Sequence, residues 1–443
     1  MEKRKNMLDI KFIRENPELI KEAAQKKGVS VDVDALLAVD ERRRHVLQEL
    51  EEKRAEQNKR SKAGPKSSEE LEPLRKLKEE IKTLEERLGV LEREYNELMI
   101  KVPTILSPDT PIGADENANV EISRWGKIPK FDFEPKTHIQ LGEELDIIDF
   151  ERGAKVGGFR GYYLKNEGVM LAIALMMFAL NKMAKKGFKL MIPPTLVKSF
   201  ALFGSGYFKG SEYDPDVDEI YEVATPDKDA SGVKSKDRKF LIGTAEPSLL
   251  AYYSDEILKE EDLPIRLCGF SQCYRSEIGS YGKDVKGIFR VHEFMKVEQV
   301  VISRADIEES DKLQQEMVSI TKEIHENLGL PYRVVQICTG DLSAGKYKQF
   351  DYEAWLPGMN RWAETGSASN FLDWQARRLG VRYVDKKGEK KFAYLLNNTA
   401  LPTPRPLIAI MENYQTKKGT IKIPRVLRKY MFGIKEIRPK KIL

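Results

Sequence analysis

Between residues 74 and 98 apolar side chains recur at alternating spacings of three and four: Leu74, Leu77, Ile81, Leu84, Leu88, Leu91, Tyr95 and Leu98. Four heptads of such a seam commit the stretch to a long α-helix that must bury one stripe against another helix. The partner lies just upstream, where residues 34–63 form a highly charged helical run with a poorer seam, Leu36, Val39, Val46, Leu47 and Leu50. The break Ala63-Gly64-Pro65-Lys66-Ser67-Ser68 separates the two. A short Gly-Pro break between helices predicts an antiparallel hairpin over about 34–100, each arm of about 30 residues reaching roughly 45 Å. Having no core beyond its seam, it is a reach device or an interaction surface. Its turn end, Lys53–Lys66, sets Lys53, Arg54, Lys59, Arg60, Lys62 and Lys66 against Glu56. Interspersed charge is ordinary for a solvated coiled coil, and the basic excess at the turn favours contact with phosphate.

The hairpin is a fraction of a 443-residue chain, long enough for two or three domains and a large core. Basic and acidic residues nearly balance, 75 against 70, so a net +5 permits an anionic partner without demanding one. Cys268, Cys273 and Cys338 form no CxxC pair, and four histidines offer no zinc-spaced cluster. The opening MEKRKNMLDIKF lacks an apolar signal core, and the most apolar window, Met170–Met183, is short for a bilayer. These features predict a cytoplasmic protein with no membrane segment.

Asn16-Pro17-Glu18 starts a short helix that ends near Gly28. A Pro-rich linker, Val102-Pro103 to Pro111-Ile112-Gly113, divides the chain into an N-terminal helical domain, 1–108, and a larger domain, 109–443. In the latter, helices are expected at 168–186 and 305–328. Strands are expected at 188–196, 239–242, 332–337 and 348–355, with an antiparallel hairpin at 267–301 and apolar runs at 392–396 and 407–411. Strands in hairpins with helices outside give an α+β domain around an antiparallel sheet. No GxGxxG or GxxxxGK[ST] follows a strand, so neither a Rossmann nor a P-loop site is indicated.

Polar clusters cap four of these apolar runs. The hairpin strands carry Arg275, Glu277, Arg290, His292, Glu293, Lys296 and Glu298 at near-alternate positions. Such a face is either a wet sheet surface or a rigid platform for a charged ligand, with Arg forks for phosphate and carboxylates for ammonium or metal. The others are Thr244-Ala245-Glu246, the run Glu364-Thr365-Gly366-Ser367-Ala-Ser369-Asn370, and Asn397-Asn398-Thr399 leading to Arg405. Singly, Thr-Ala-Glu is as well read as helix capping, and 365–370 as a loop satisfying its own backbone.

Together these segments resemble one family, the seryl-tRNA synthetases of class II, over almost the whole chain. Lys186-Gly187-Phe188 to Pro193-Pro194 is similar to class II motif 1, whose role is dimerisation, with Pro194 as its proline. Tyr274-Arg275-Ser276-Glu277 and Phe289 to Phe294 resemble motif 2, and Pro404-Arg405-Pro406 to Asn413 motif 3. Thr244-Ala245-Glu246, Lys296-Val297-Glu298, Met411 to Gln415 and the helical hairpin carry the seryl assignment. The resemblance implies a class II catalytic domain built on an antiparallel sheet flanked by helices, preceded by an antiparallel coiled-coil domain. It implies activation of L-serine with ATP and transfer to the 3′ end of tRNA(Ser), with tRNA(Sec) left open. A homodimer is implied too, whose coiled-coil finger reaches the tRNA's long variable arm.

By the same resemblance, Arg275 bridges the serine carboxylate and the ATP α-phosphate, and Arg405 takes the γ-phosphate. Glu277 holds the adenine amino group. Val291, His292, Glu293 and Phe294 complete the platform, with Phe294 stacking on the base and Ser276 beside it. Glu364 and Ser367, flanked by Thr365 and Gly366, serve Mg2+ through the ATP phosphates. Thr244, Ala245, Glu246, Glu298, Asn397 and Thr399 surround the serine. In the loop, Lys283, Asp284 and Lys286 would face the acceptor end. The basic tail 422–441 reads as a solvated extension that could touch tRNA. No zinc ligand set is expected.

The chain departs from the family pattern at three places. Thr365-Gly366 replaces the first of two usual serines after Glu364, Thr399 replaces a serine, and Pro402, Pro404 and Pro406 bracket Arg405. Two alternatives stand beside this reading: a paralogue that activates an amino acid for another carrier, and a scaffold on an inactive catalytic fold.

Overall fold

The computed structural model describes residues 9–63, 68–210, 212–228, 230–235, 237–278 and 286–439, of which residues 63 and 68–71 by backbone alone. The chain divides into two compact units, Met1–Ile105 and Leu106–Leu443.

The first unit is helical. Helix α1 (Ile10–Glu15) starts at Asp9, whose carboxylate accepts from Lys11 N, and α2 (Pro17–Lys26) starts on a proline that needs no donor. Two long helices follow, α3 (Val33–Ala63) and α4 (Ser68–Ile100). The seam residues of both, from Leu36 and Leu50 to Leu77, Leu91 and Tyr95, form one buried cluster with Ile13 and Ile20. A buried Asp40 is held by Arg14, Arg43 and Arg44, and Arg43 lies 4.5 Å over the Tyr95 ring. The turn end is less basic than its sequence suggests. Lys53 and Arg54 pair at 2.7 Å with Glu80 and Glu85 of the other arm, and Arg60 pairs with Glu56. Counting along one arm missed the acids supplied by its neighbour. Lys59 and Lys62 are exposed; Lys66 lies outside the described residues.

The second unit is built on an eight-stranded sheet. Its strands are β1 (Val120–Trp125), β2 (Lys189–Met191), β3 (Ile265–Tyr274), β4 (Glu293–Ser303), β5 (Tyr332–Gln336), β6 (Lys348–Leu356), β7 (Arg361–Asn370) and β8 (Tyr394–Pro402), in the order β1-β5-β6-β7-β8-β4-β3-β2. All neighbours are antiparallel except β2, which runs parallel to β3, so the sheet is mixed at one edge. Helices relevant to the site are α5 (His138–Glu144), α6 (Asn166–Lys185), α7 (Glu246–Ala251), α8 (Ile307–Leu328), α9 (Trp374–Leu379) and α10 (Pro404–Asn413). Leu171, Leu175 and Phe178 of α6, Met317 and Ile324 of α8, and Ile408 and Met411 of α10 form one core with Val297, Val301 and Leu401 of the strands. Alternation puts Val297 into that core and its neighbours Lys296 and Glu298 on the other face.

Several expectations change here. The expected strand 188–196 is interrupted by Pro193-Pro194, which cannot donate to a ladder. Its halves, Lys189–Met191 and Leu196–Lys198, join different sheets. The return of the hairpin is a strand only from Glu293; before it the chain turns and bends, packing Ile288, Phe289 and Val291 into the core. The run 365–370 is not a loop but the second half of β7; its small polar residues hid a strand. Helix α6 extends the window 170–183 to 20 residues, long and apolar enough to cross a bilayer by length and composition. Half of that stretch is packed inside the fold.

Candidate active site

The site forms where three of the sheet's strands meet. β4 pairs with β3 from Tyr274↔Glu293 to Ile302↔Ile265, and with β8 on its other side, where Glu298 stands opposite Thr399. The ladder between β7 and β8 covers only Ala368–Asn370, and beyond it Gly366 still lies close against Thr399. Glu298 is buried, and its Oε2 takes Lys296 Nζ at 2.7 Å and the Thr399 hydroxyl at 3.2 Å. Beside it α7 presents Thr244, Ala245 and Glu246 at its start. The Thr244 hydroxyl is buried and makes no hydrogen bond, a donor held in place for something else.

Glu246 plays a different part from the one its sequence suggests. Its Oε1 accepts from Asn397 Nδ2 at 2.8 Å and Gln375 Nε2 at 2.6 Å, and its Oε2 from Tyr207 OH at 3.1 Å. With both oxygens engaged, it presents Asn397 to the pocket and is itself set back. Burial pushes its carboxyl up to about 7, against the pull of the Gln375 amide. Burial and the Glu246 charge also raise the Tyr207 hydroxyl.

At the other end of the cleft lie the arginines. Arg275 N donates to His292 O at 2.9 Å and Nε to Gly243 O at 3.4 Å, and its guanidinium stands 5.5 Å over the Phe294 ring. Arg405 donates from NH1 to the Glu364 carbonyl at 2.8 Å and to its carboxylate at 3.2 Å. Glu364 keeps about half of its side chain exposed; the surrounding protein still penalises its charge, yet Arg405 and Arg275 outweigh that and hold the carboxyl below its ordinary range. Asp351, across the ladder from Ser367, is pushed the other way by burial and by the Glu364 charge. Two carboxyls whose environments drive them apart, beside two guanidiniums, make a site able to hold a polyanion and its counter-ion. Among the described residues no group of three His, Cys, Asp or Glu side chains could hold a metal ion, so Glu364 and Ser367 would offer hard oxygen donors only alongside oxygens of a bound polyanion.

Other expected residues fall as follows. Glu277 is buried, with Arg290 NH1 3.1 Å and Arg160 NH1 3.7 Å from its Oε2. The Ser276 hydroxyl is buried and unbonded. His292 Nδ1 lies 2.9 Å from Arg275 O, fixing that backbone, while Val291 is packed into the core and offers only its main chain. Glu293 is exposed at the cleft rim. Thr365 requires a correction: its side chain turns away from the cleft. It is the extra residue at a bulge between Glu353↔Glu364 and Tyr352↔Gly366, and its hydroxyl meets His325 Nε2 at 2.9 Å and Tyr352 O at 3.2 Å. Gly366 faces Thr399 instead: a Cβ there would stand 2.9 Å from Thr399 Cβ and 3.0 Å from Cγ2. Pro194 sits outside the cleft, its carbonyl accepting from Ser248 of α7. Lys283 and Asp284 lie outside the described residues; Lys286 is exposed.

Sequence reasoning missed Tyr207, Gln375, Arg160 and Asp351. Only Asp351 left a signal, a carboxylate between the apolar Phe350 and Tyr352 on a strand that also carries Lys348, Gln349 and Glu353. The others reach the cleft from loops and helices whose placement is tertiary.

Comparison with known proteins matches the same segments. A family model of the tRNA synthetase class II core domain (G, H, P, S and T) covers residues 230–414, and one of the seryl-tRNA synthetase N-terminal domain covers 7–106. The serine–tRNA ligase of Rubrobacter xylanophilus is 41% identical over 432 residues, 96% of this chain and 98% of that protein. That of Dictyoglomus turgidum is 42% identical over 444 residues, 98% of this chain and 100% of that protein. Among solved structures, seryl-tRNA synthetase from Pyrococcus horikoshii complexed with ATP superposes with a TM-score of 0.87 at 40% identity, covering 98% of this chain and all of the other. Cytoplasmic serine–tRNA ligase from Naegleria fowleri in complex with AMP gives 0.85 at 33% identity, with the same coverage.

Proposed function

This chain belongs to the seryl-tRNA synthetases, and from that membership we propose how its residues divide the work of a serine–tRNA ligase. The observation that carries the division is the cleft itself. An oxyanion-binding end (Arg275 after β3, Arg405 on α10) and an amine- and hydroxyl-binding end (Glu298 on β4, Asn397 and Thr399 on β8, Thr244 before α7) are gathered at one sheet. Serine enters with its ammonium and hydroxyl toward Glu298, Thr244 and Thr399, and its carboxylate toward Arg275. A carboxylate oxygen attacks the α-phosphorus of ATP, the bond to the β-bridging oxygen breaks, and pyrophosphate leaves.

The attacking group is already an anion, so no general base is needed. Arg275 stabilises the charge that builds on the α-phosphoryl oxygens, and Arg405 keeps the leaving end in line. Phe294 and the backbone of 291–293 carry the adenine, with Glu277 held near it by Arg290 and Arg160. Glu364 and Ser367 would hold Mg2+ together with the ATP phosphates, and the ion would offset phosphate charge. Alanine is rejected because it leaves the buried Thr244 hydroxyl without a partner; threonine is excluded by fit alone, a weaker device.

The seryl group then passes to the 3′ end of tRNA(Ser), and the helical hairpin of 34–100 takes the tRNA through its shape and phosphates. We place the enzyme in the cytoplasm, in its zinc-free form, as a homodimer. The edge strand β2, Pro194 and an exposed apolar stripe of Val169, Ile173 and Met177 on α6 beside Leu190 and Ile192 supply the self-contact. The test of the division is a variant lacking 34–100. It keeps serine-dependent ATP–pyrophosphate exchange and loses charging of tRNA(Ser). Loss of exchange in the folded variant contradicts the division.

A further inference from the structure

A buried histidine outside the cleft ties the last turn of the closing helix to the hairpin. His138 opens α5 beside the N-cap Thr137 and is 1% exposed. Its ring Nε2 lies 3.2 Å from the backbone N of Ile288, and its Nδ1 lies 3.2 Å from Glu412 Oε1, which also takes the His138 backbone N at 2.9 Å. A backbone N–H can only donate, so Nε2 is the acceptor and Nδ1 carries the proton toward Glu412. Glu412 is fully buried in the last turn of α10, its Oε2 accepting from Gly358 N at 2.9 Å. The chain fits closely at this point: Gly287 has φ +77°, and a Cβ there would stand 2.2 Å from His138 Nε2.

The next residue closes the loop of contacts. Phe289 O accepts from Arg405 Nε at 3.3 Å, and its ring lies 4.6 Å from the Arg405 guanidinium and 4.2 Å from that of Arg361. Arg405 sits in the first turn of α10 and Glu412 in its last. One helix therefore holds two consecutive residues of the hairpin return, Phe289 directly from one end and Ile288 through His138 from the other. Arg290, which holds Glu277, comes immediately after.

We propose that His138, as the Nδ1–H tautomer bridging Glu412 and Ile288 N, is a positioning residue that sets where Phe289, which holds Arg405, and Arg290, which holds Glu277, stand in the proposed ATP site. It touches neither substrate. The proposal deepens the reading of this cleft as an ATP site and rests on it.

Two conservative replacements separate positioning from mere stability. His138→Gln places an amide oxygen near the Nε2 position and keeps an acceptor for Ile288 N. His138→Asn keeps a donor near Nδ1 for Glu412 and leaves Ile288 N unbonded. Each gives up one buried hydrogen bond. In ATP–pyrophosphate exchange, His138→Asn raises KM for ATP about tenfold, the loss of one buried hydrogen bond at a kcal/mol scale, with KM for serine within about twofold. His138→Gln stays near wild type. Equal effects of the two variants, or KM for ATP and serine rising together, overturn the proposal. Should either variant fail to fold, the wild-type enzyme still decides: its 15N-histidine spectrum shows His138 protonated on Nδ1, and protonation on Nε2 refutes the bridge. That spectrum stands apart from the proposed function, which fails separately if wild type shows no serine-dependent exchange.

Discussion

Gly366→Ala puts one methyl group where the serine pocket has no room for it. The added Cβ would lie 2.9 Å from Thr399 Cβ and 3.0 Å from its Cγ2, against an optimum of about 3.5–4.0 Å between carbons. Turning χ1 moves Cγ2, with few alternatives in a β-branched residue, but leaves Cβ in place, so the contact with Cβ is relieved only by a strand shift. Either movement takes the Thr399 hydroxyl off Glu298 Oε2, now 3.2 Å away. A hydrogen bond to a charged group is worth about 1.5–3 kcal/mol, so KM for serine should rise roughly 10- to 100-fold while KM for ATP stays put. Thr399→Ser removes the Cγ2 contact and keeps the hydroxyl, while the contact with Cβ at 2.9 Å remains, so the double variant Gly366→Ala with Thr399→Ser recovers part of the loss. Serine titrations of ATP–pyrophosphate exchange on both single variants and the double give the coupling. An unchanged KM for serine in Gly366→Ala, or a double variant as poor as the single, refutes the steric reasoning. On this account the Gly366 and Thr399 departures from the family pattern compensate each other, the methyl at 399 using space left at 366.

Other outcomes follow from the buried ionisable groups. Glu246 titrates near 7 when folded and near 4.5 as a free side chain, so the folded state keeps a proton that the unfolded state has lost. Its contribution to stability falls as pH rises from about 4.5 to 7, by at most about 3 kcal/mol. Glu246→Gln, which keeps an acceptor for Asn397, removes that slope in denaturant melts; a slope unchanged in this variant contradicts the assignment. His325 works in the opposite sense: burial lowers it from 6.5, so the unfolded chain takes a proton first and stability drops as pH falls below about 6.5. His325→Gln should abolish this acid-side loss, seen most clearly in the Glu246→Gln background, and persistence of the loss would place it elsewhere.

How much of this could be read from residues alone depended on how local the cause was. The long helices were legible because a heptad seam is a one-dimensional pattern, and the seam residues are the ones buried. The charged hairpin was legible as alternation, and its polar face was a coin toss until Glu298, Thr399 and Asn397 were brought together by strand order. The run 365–370 also reads as a loop because its small polar side chains carry no apolar alternation, and its place in β7 is a tertiary fact. Thr365 was placed in the cleft because one bulge residue is invisible in sequence and turns a side chain to the opposite face. Glu246 looked like a ligand and is held by three donors from distant segments, of which Gln375 and Tyr207 gave no sign. The basic bias of the coiled-coil turn was overcounted for the same reason, since Glu80 and Glu85 come from the other arm.

The central claim is that Arg275 joins the serine-binding and phosphate-binding ends of one cleft. Amino-acid-dependent ATP–pyrophosphate exchange by the intact chain, beside Arg275→Ala, tests it most directly. The account predicts exchange with serine, little with alanine or threonine, and a loss of at least about a thousandfold in the variant, in the range of other preorganised charge stabilisers. Exchange with another amino acid in place of serine, or an Arg275→Ala enzyme that still exchanges at near the wild-type rate, would contradict it.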